Sequence, residues 1–511
     1  QPRSRGLGDV YKRQVKDGVV WIEVADRGGE LGATRAGVTG EAPSDVLWHY
    51  NLSARHLDKL CERVDTFSVS GDGERLVVRH RDDTIVVPSS HKVDDDDPAY
   101  IRVDLTRLRR TVNPRAEWRQ MFDENGRLMA SHYWREDMNG VDWDSVLNRY
   151  RPLVDLCHVV DDLHDILWET VAELNTSHSY VSVSGAAGDS DMRAGLLGAD
   201  VSSGNDGAKV VRVIPGESSD PRAWSPLRAA GVAVTEGDVI VAVDGRKVGA
   251  DGNLGELLEG SAGRVVELTV RRGENERQVA VVPMADEAPL RYHDWVASRR
   301  RYVEEHSGGR LGYLHVPDMV SDGWAELHRQ IGEATRHEGV IADVRFNHGG
   351  HTSQLVVERL ARRVVGWDYS RWYATADTYP QNAVRGPIVM VTNQWAGSDG
   401  DIVAAATQAM GYAKVIGERS WGGVVGIDGR FDLVDGTSVT QPRYAGWYGS
   451  YGWGVENHGV DPDIVVTVSP EDWEADCDVQ LDAAIAECLR QLDDKPAATA
   501  PELPGPAFDR C

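Results

Sequence analysis

Two short stretches of the chain carry residues whose types and spacing suit nucleophilic chemistry. Ser398 stands in "NQWAGSDGD", between the apolar run "GPIVMVT" and the helical pattern "IVAAATQAM". Gly349 and Gly350 stand in "NHGG", between the buried-strand pattern "GVIADVRF" and the helical pattern "SQLVVERLARR". A strand-to-helix corner leaves backbone N–H groups free, and preorganised N–H groups can hold a developing oxyanion. The two corners together predict a serine nucleophile beside an oxyanion hole, to which Asp399, directly after the serine, would contribute its N–H.

Each corner also has a simpler interpretation when taken alone. Serine is common at the N-cap of a helix, where its oxygen accepts a free N–H of the first turn. A glycine pair is typical of a tight turn. The serine does not stand in a G-x-S-x-G elbow either, because Ala396 lies two residues before it. The rest of the chain must therefore decide between these interpretations.

A serine nucleophile needs a base, because its hydroxyl is a weak nucleophile near neutral pH. Peptidases of the C-terminal processing class use a lysine in a segment like T-F-G-K-G. The similar segment here is "SWGGV", and the position of that lysine holds Gly423. Lys414 lies inside a strand-like run and is interpreted as structural. A histidine must then act, and His178 in "ELNTSHSYV" is the candidate, with Ser177 beside it able to orient a catalytic group.

A carboxylate that could complete such a site occurs in "WGVENHGVDPDIVV". Glu456 precedes the turn-forming segment "HGVDPD" and is a candidate orienting group. Its alternative is an ordinary glutamate of a surface loop. The choice depends on whether the fold brings this loop to the serine.

The elements that must position these residues fall into successive segments. Residues 287–492 alternate apolar strand-like runs with helical patterns, which predicts an α/β core. Residues 106–184 have apolar residues at helical spacing and predict a small helical domain that carries the Ser-His pair. Residues 15–105 alternate β-rich runs with turns and predict the remnant of a β-propeller. Residues 493–511 are rich in proline and alanine and are predicted to be disordered.

Residues 185–286 return to strand patterns with one helix-like piece, "GNLGELLEG". The stretch "SPLRAAGVAVTEGDVIVAVDGRKV" resembles PDZ domains, with Gly231, Gly237 and Gly245 at the positions where turns are needed. PDZ domains capture an extended peptide by adding it as a strand. The alternative is a packing module whose groove is empty. The predicted fold class is thus a multidomain α/β protein with a β-rich N-terminal propeller-blade fragment, a small helical domain, a PDZ-like domain and an α/β core.

Composition limits the choice of function. The 511 residues suit roughly three domains. The formal net charge of −26 argues against nucleic acid or an anionic membrane as the main partner. No stretch of 18 apolar residues occurs, so we expect no membrane span. Five cysteines without a C-x-x-C motif suit a reducing cytosol, and no metal-ligand motif such as H-E-x-x-H is present.

The first fourteen residues, "QPRSRGLGDVYKRQ", have no initiator methionine, apolar run or periodicity. They do not form a signal peptide. We interpret them as foreign sequence joined to a truncated chain.

The order of these motifs resembles the C-terminal half of tricorn protease over about residues 60–490. The helical segment with Ser-His comes first, then the PDZ-like domain, "DVRFNHGG", "GSDGD", "WGGVVG" and "VENHGVDPD". The resemblance implies a cytosolic, hexameric serine peptidase that acts on peptides without a cofactor. One departure is Gly397, where members of that family often have serine. A larger departure is on the N-terminal side. Tricorn proteases carry two propellers that gate entry and anchor peptide ends, and this sequence has at most a fragment of them.

The resemblance also implies a role for each candidate residue. His178 is similar to the general base, Ser177 to the serine beside it, Ser398 to the nucleophile and Glu456 to the acid that completes the tetrad. The oxyanion donors would be the amides of Gly350, with Gly349 as the fallback, and Asp399. Asp368, in "GWDYS", is the nearest match to the aspartate that favours basic residues at the cleavage site.

Two other functions remain open from the sequence. A non-catalytic scaffold would use only the PDZ-like groove, and its Ser398 would not react with a serine-directed phosphonate. A crotonase-like acyl-CoA enzyme could share the strand–glycine–helix corners. It is expected to lack the PDZ-like insert and the Ser-His loop.

Overall fold

The computed structural model describes residues 12–24, 44–80, 83–109, 111–182, 192–249, 252–372, 374–428 and 431–503. The chain divides into two units, one of residues 1–112 with 218–221 and one of residues 113–217 with 222–511. All the candidate site residues belong to the second unit.

The first unit contains two four-stranded antiparallel sheets whose strands follow sequence order. The strands are β1 Lys12–Val15, β2 Gly18–Glu23, β3 Val46–Asn51, β4 His56–Glu62, β5 Thr66–Val69, β6 Arg75–His80, β7 Asp83–Pro88 and β8 Ile101–Arg102. Val20 and Ile22 of β2 point to one face because side chains alternate along a strand, and they share a core with Leu47 and Leu76. Each sheet has the strand number and strand order of a propeller blade. The propeller remnant itself stays a prediction.

β1 includes residues 12–14 of the segment interpreted as foreign sequence, and it pairs with β2. Residues 1–11 lie outside the described residues.

The second unit begins with the three helices that the periodicity predicts. They are α1 Pro114–His132, α2 Trp143–Val154 and α3 Val160–Ala172. Asn113 and Asp142 cap the first two helices, each accepting an N–H of the first turn. The helical core also contains Leu433 and Val439, which come from much later in the chain. The helices are therefore packed on a distant segment rather than forming a separate body.

The next sheet is antiparallel, in the order β10-β11-β12-β14-β15, with β13 paired to β12. Its elements are β10 Ala199–Gly204, β11 Gly207–Val213, β12 Val239–Val243, β13 Arg246–Lys247, α4 Leu254–Leu257, β14 Val266–Arg272 and β15 Asn275–Val281. Gly231, Gly237 and Gly245 all have positive φ, as the predicted turns require. Residues 185–191, the start of this predicted domain, lie outside the described residues.

The core domain is built on a five-stranded parallel sheet in the order β16-β17-β20-β21-β25. Its strands are β16 Leu311–His315, β17 Gly339–Asp343, β20 Ile388–Thr392, β21 Ala413–Gly417 and β25 Ile464–Val465. The helices are α5 Ala288–His306, α6 Ser321–Ala334, α7 Ser353–Leu360, α8 Asp399–Met410, α9 Pro470–Glu474 and α10 Val479–Asp494. The alternation of strands and helices predicted from the sequence is confirmed.

Helices cover both faces of this sheet. Val340 and Ala342 of β17 pack into one core, and Ile341 between them packs into the core on the other face. A strand buried on both faces is expected to be apolar, which explains the run "GVIA" before the buried Asp343 at the end of the strand. Because all five strands are parallel, their carboxyl ends lie along one edge of the sheet.

Short strand pairs complete the unit. They are β9 Val181–Ser182 with β23 Ser438–Val439, β18 Gly366–Asp368 with β19 Asp377–Tyr379, and β22 Gly426–Asp428 with β24 Gln441–Tyr444. The first of these pairs joins the end of the helical segment to the core domain.

The C-terminal segment follows the surface of the core beyond the point where disorder is predicted. α10 runs to Asp494, and the N–H of Ala498 donates to the carbonyl of Arg385 at 2.8 Å. Residues 493–503 are thus held against the core, while 504–511 lie outside the described residues.

Candidate active site

Ser398 lies at the corner between β20 and α8, at the N-cap position of the helix. Its φ of 57° and ψ of −118° are rare for a residue with a side chain, and such strain persists only where surrounding structure enforces it. Its hydroxyl makes no capping hydrogen bond. The simple capping interpretation therefore fails, although the position at a helix start is as predicted.

The glycine corner follows β17 and lies directly against the serine. A Cβ added to Gly349 would stand 2.5 Å from the Cβ of Ser398 and 2.9 Å from the carbonyl of Gly397. The N–H of Gly397 donates to the carbonyl of Asn347 at 3.0 Å, which ties the two corners together. Only glycine at position 349 permits this approach.

The hydrogen bonds of this loop separate the two candidate glycine donors. The Gly349 N–H donates to Asn347 Oδ1 at 2.9 Å, so it is used within the loop. The N–H groups of Gly350 and Asp399 have no acceptor in the part of the chain that the structure describes. Gly350 and Asp399 are therefore the two amides with a free proton at the serine corner.

The segment that follows β23 holds His178 in place. Thr440 Oγ1 donates to the carbonyl of His178 at 2.6 Å and accepts the N–H of Tyr180 at 2.7 Å. The imidazole packs edge-on against Tyr180 and Trp421, with ring centroids 5.7 and 5.6 Å away. Its position thus depends on a contact between residues far apart in sequence.

Ser177 and Glu456 support the histidine in two ways. Ser177 Oγ lies 3.1 Å from His178 Nδ1, which leaves Nε2 as the ring nitrogen available to substrate. Glu456 Oε1 accepts the backbone N–H of Ser177 at 2.8 Å, and its Oε2 accepts those of Val424 and Val425 at 2.8 and 3.0 Å. The carboxylate therefore acts on the backbone of Ser177 and fixes two loops together.

Ser398 and His178 line the same open cleft, whose volume is about 240 Å³. The other lining residues are Tyr180, Asn347, His348, Gln394, Trp395, Gly397 and Trp421. Within the described ranges, no hydrogen bond joins the serine hydroxyl to the histidine ring. A catalytic hydrogen bond is often long before substrate binds, so a shared cleft is the relevant observation.

Burial shifts the pKa values of several groups at this site. It lowers the pKa of His178 below the ordinary histidine value, while the negative charge of Glu456 acts in the opposite direction. Burial also raises the pKa of Asp401 to about 6. Asp401 Oδ1 accepts the hydroxyl of Ser420 and, at 2.8 Å, the N–H of Gly422, so it ties α8 to the loop after β21.

A lysine at the position of Gly423 would require the Trp421 ring to move. A Cβ added to Gly423 would lie 2.2 Å from the ring of Trp421. Lys414 lies on β21 and pairs with Asp463 at 3.7 Å, so it is part of the sheet. The choice of histidine over lysine as candidate base agrees with both observations.

The structure does not bring Asp368 to the cleft. It ends β18, is exposed, and pairs in register with Asp377 of β19. It is not among the residues that line the cleft.

Sequence reasoning missed Asn347, Trp395 and Trp421. Asn347 is fully buried and shapes the glycine loop, since its Nδ2 donates to the carbonyl of Val316 at 2.8 Å. One signal was present in the sequence: Asn347 and Trp395 each follow a buried strand of the parallel sheet, where side chains meet at the sheet edge.

Comparisons with known proteins define the class. The model of Peptidase family S41 matches residues 310–466, the tricorn protease PDZ domain matches residues 195–286, and the tricorn protease C1 domain matches residues 114–172. The chain therefore joins an S41 peptidase core to a PDZ domain and a helical C1 domain.

Relatives identify the family more narrowly. The chain is 55% identical over 497 residues to tricorn protease homolog 1 of Streptomyces coelicolor, covering 96% of this chain and 46% of that protein. It is 35% identical over 455 residues to tricorn protease of Thermoplasma acidophilum, covering 89% and 42%. A crystal structure of the tricorn protease superposes with a TM-score of 0.85 at 33% identity, covering 95% of this chain and 47% of that one. The chain belongs to the tricorn protease family and spans about half the length of the curated relatives it matches.

Proposed function

We propose that this chain is a serine peptidase that hydrolyses short peptides or protein degradation products through Ser398, His178, Ser177 and Glu456. The observation that carries the proposal is the strained, uncapped Ser398 in one cleft with a buried histidine and beside two unpaired backbone amides. A non-catalytic scaffold would give no reason for the strain at Ser398.

The proposed reaction begins with attack of Ser398 Oγ on the carbonyl carbon of the scissile peptide bond. His178 Nε2 accepts the hydroxyl proton, and the N–H groups of Gly350 and Asp399 donate to the oxyanion of the tetrahedral intermediate. The C–N bond then breaks, and the histidine gives its proton to the leaving amine. A water molecule, deprotonated by the same nitrogen, hydrolyses the acyl-enzyme.

Ser177 and Glu456 have positioning roles in this proposal. Ser177 Oγ holds Nδ1, so Nε2 is free to accept the proton. Glu456 anchors the Ser177 backbone and carries the negative charge that favours the imidazolium formed during attack.

The cytosolic location and the homo-oligomeric state that the family implies belong to the same proposal. Sedimentation of the purified chain tests the oligomeric state.

Hydrolysis of short fluorogenic peptides by the wild type and by Ser398→Ala tests the reaction. The wild type should release the fluorophore. The variant should lose activity by about 10⁴-fold or more with an unchanged thermal unfolding curve, because the nucleophile acts as one unit with its base. Substantial hydrolysis by Ser398→Ala would contradict the proposal.

A further inference from the structure

Asp401 is a buried carboxylate at the serine corner that no step of the proposed reaction uses. It lies in the first turn of α8, three residues after Ser398, and is fully buried. Within the described ranges, no lysine, arginine or histidine pairs with it. Burial of an acidic side chain without a cation is costly, so its hydrogen-bond partners show what the carboxylate stabilises.

The first partners of Asp401 lie in residues 420–425 of the loop after β21, which we call the linking loop. Asp401 Oδ1 accepts the hydroxyl of Ser420 and, at 2.8 Å, the N–H of Gly422. Ser420 Oγ in turn accepts the N–H of Val460 at 2.8 Å. The carboxylate thus holds the start of the linking loop against α8.

The other oxygen of Asp401 faces the nucleophile's own backbone. An acidic side chain at the third position of a helix often accepts the N–H of the N-cap residue, which here is the strained Ser398. Burial raises the pKa of Asp401, and the N–H groups of Ser398 and Gly423 act against that effect. Asp401 Oδ2 makes no hydrogen bond to any described group, so it is the oxygen left to attract these two N–H dipoles. The attraction helps to enforce the rare backbone conformation of Ser398.

The linking loop also reaches the base side of the cleft. The ring of Trp421 packs edge-on against the His178 imidazole, with centroids 5.6 Å apart, and the Trp421 N–H donates to the carbonyl of Ala396 at 3.0 Å. Further along the loop, the Val424 N–H donates at 2.8 Å to Glu456, the carboxylate that supports the histidine. The linking loop therefore contacts both sides of the cleft, and Asp401 holds one end of it.

We propose that Asp401 is a positioning residue that aligns the nucleophile Ser398 with the base His178 through the linking loop. The inference rests on the proposed peptidase function and adds a residue to its machinery. The carboxylate draws the serine corner and the linking loop toward one point, which fixes the separation of the two reacting side chains. Its contribution is to the reacting geometry rather than to substrate binding, because Asp401 is fully buried and does not line the cleft.

The kinetics of Asp401→Asn test this role. Asparagine has the same shape and keeps an oxygen for Ser420 and Gly422. It replaces Oδ2 with an NH2 group, a donor that repels the N–H groups of Ser398 and Gly423. We expect kcat for a fluorogenic peptide to fall about a hundredfold, as misplacement of a reacting group by about 1 Å does, with KM changed less than about threefold. A role confined to stability would lower the unfolding temperature and leave the kcat of the folded protein unchanged.

Two further variants complete the test. Asp162 is a matched control, since it holds the third position of α3 and accepts the N–H groups of His158 and Val159 at 2.7 and 3.2 Å. It does not line the cleft, so Asp162→Asn should keep kcat even if stability falls. Ser420→Ala removes one donor to Asp401 and should lower kcat about tenfold. It tests the same contact if Asp401→Asn fails to fold.

Three results would overturn the positioning role. They are an unchanged kcat in Ser420→Ala and in folded Asp401→Asn, a rise in KM without a loss of kcat, and an equal loss of kcat in Asp162→Asn. Any of these with an active wild type would remove the role of Asp401 and keep the peptidase. Absence of hydrolysis by the wild type, measured with Ser398→Ala as the blank, would remove the peptidase and the positioning role together.

Discussion

The two sides of the active-site cleft are built by different means. The nucleophile side belongs to two successive strand–helix units of one parallel sheet, and the Gly397 N–H joins its two corners. The base side comes from a turn after α3 and is held by Thr440 and by the pairing of β9 with β23. One half of the site is fixed by the core of its own domain, and the other depends on docking of the helical segment.

This difference has a physical consequence. Displacing Ser398 requires distortion of a sheet whose strands are buried on both faces, which is costly in a close-packed core. Displacing His178 requires only the loss of a few hydrogen bonds at a two-residue strand pair. Substitutions on the two sides should therefore separate activity from stability in different ways.

Removal of the base should give the largest effect. His178→Ala is expected to lower kcat/KM for a fluorogenic peptide by about 10⁴-fold or more, since serine and base act as a unit. His158→Ala changes an exposed histidine of the same helical segment and should retain activity. Comparable activities of the two variants would exclude His178 as the base.

Crowding of the nucleophile side should give the next largest effect. Gly349→Ala places a Cβ within 2.5 Å of Ser398 and at a φ of +76°, so we expect about a hundredfold loss of kcat/KM from displacement of the reacting group. Gly309→Ala provides a control with a similar φ of +77° and no neighbour within 4 Å. If both variants lose stability but keep full activity, the close approach of the two corners is irrelevant to catalysis.

Loosening of the base side should give a smaller loss. Thr440→Val removes the hydroxyl that pairs with His178 and Tyr180, and should lower kcat about tenfold and the free energy of unfolding by about 1–2 kcal/mol. Thr378→Val is a matched control, because the Thr378 hydroxyl also donates to one carbonyl and accepts one N–H. Thr378 lies in β19 and does not line the active-site cleft. Its stability should fall similarly while kcat is unchanged. Equal kcat in the two variants would show that docking does not position the base.

The smallest effect is a shift of the pH profile. His178 must be neutral to accept a proton, and burial lowers its pKa, so kcat/KM should fall only below a midpoint that is lower than about 6.5. Glu456 raises this pKa through its charge, so Glu456→Gln should move the acidic limb to still lower pH. An acidic limb above 6.5, or one that moves upward in Glu456→Gln, would contradict the assignment.

The sequence predicted the elements and residues of the nucleophile side more completely than those of the base side. The continuous apolar runs and the glycine and serine corners predicted the strands, the helix starts and the meeting of the two corners, because those features depend on neighbours in sequence. It could not tell that the Gly349 N–H is used by Asn347, since that follows from a side-chain orientation inside the loop. The candidate list therefore contained one donor too many.

The local sequence provided only weak signals for the base side, and the resemblance was needed to assign a role to each of its residues. His178 and Glu456 each lie in ordinary polar loops, and only the docking of residues 438–444 onto the helical segment brings them together. Asp368 was proposed from a register that the local sequence does not fix, and it lies outside the cleft.

Reaction with a serine-directed phosphonate tests the central claim most directly. Ser398 is expected to react, because its hydroxyl is accessible to a base and its corner presents two free amides to the phosphonyl oxygen. Peptide mass spectrometry should find a single adduct, on the tryptic peptide containing Ser398, formed much more slowly in His178→Ala. Labelling of another serine with Ser398 unmodified, or an equal rate in His178→Ala, would contradict the account.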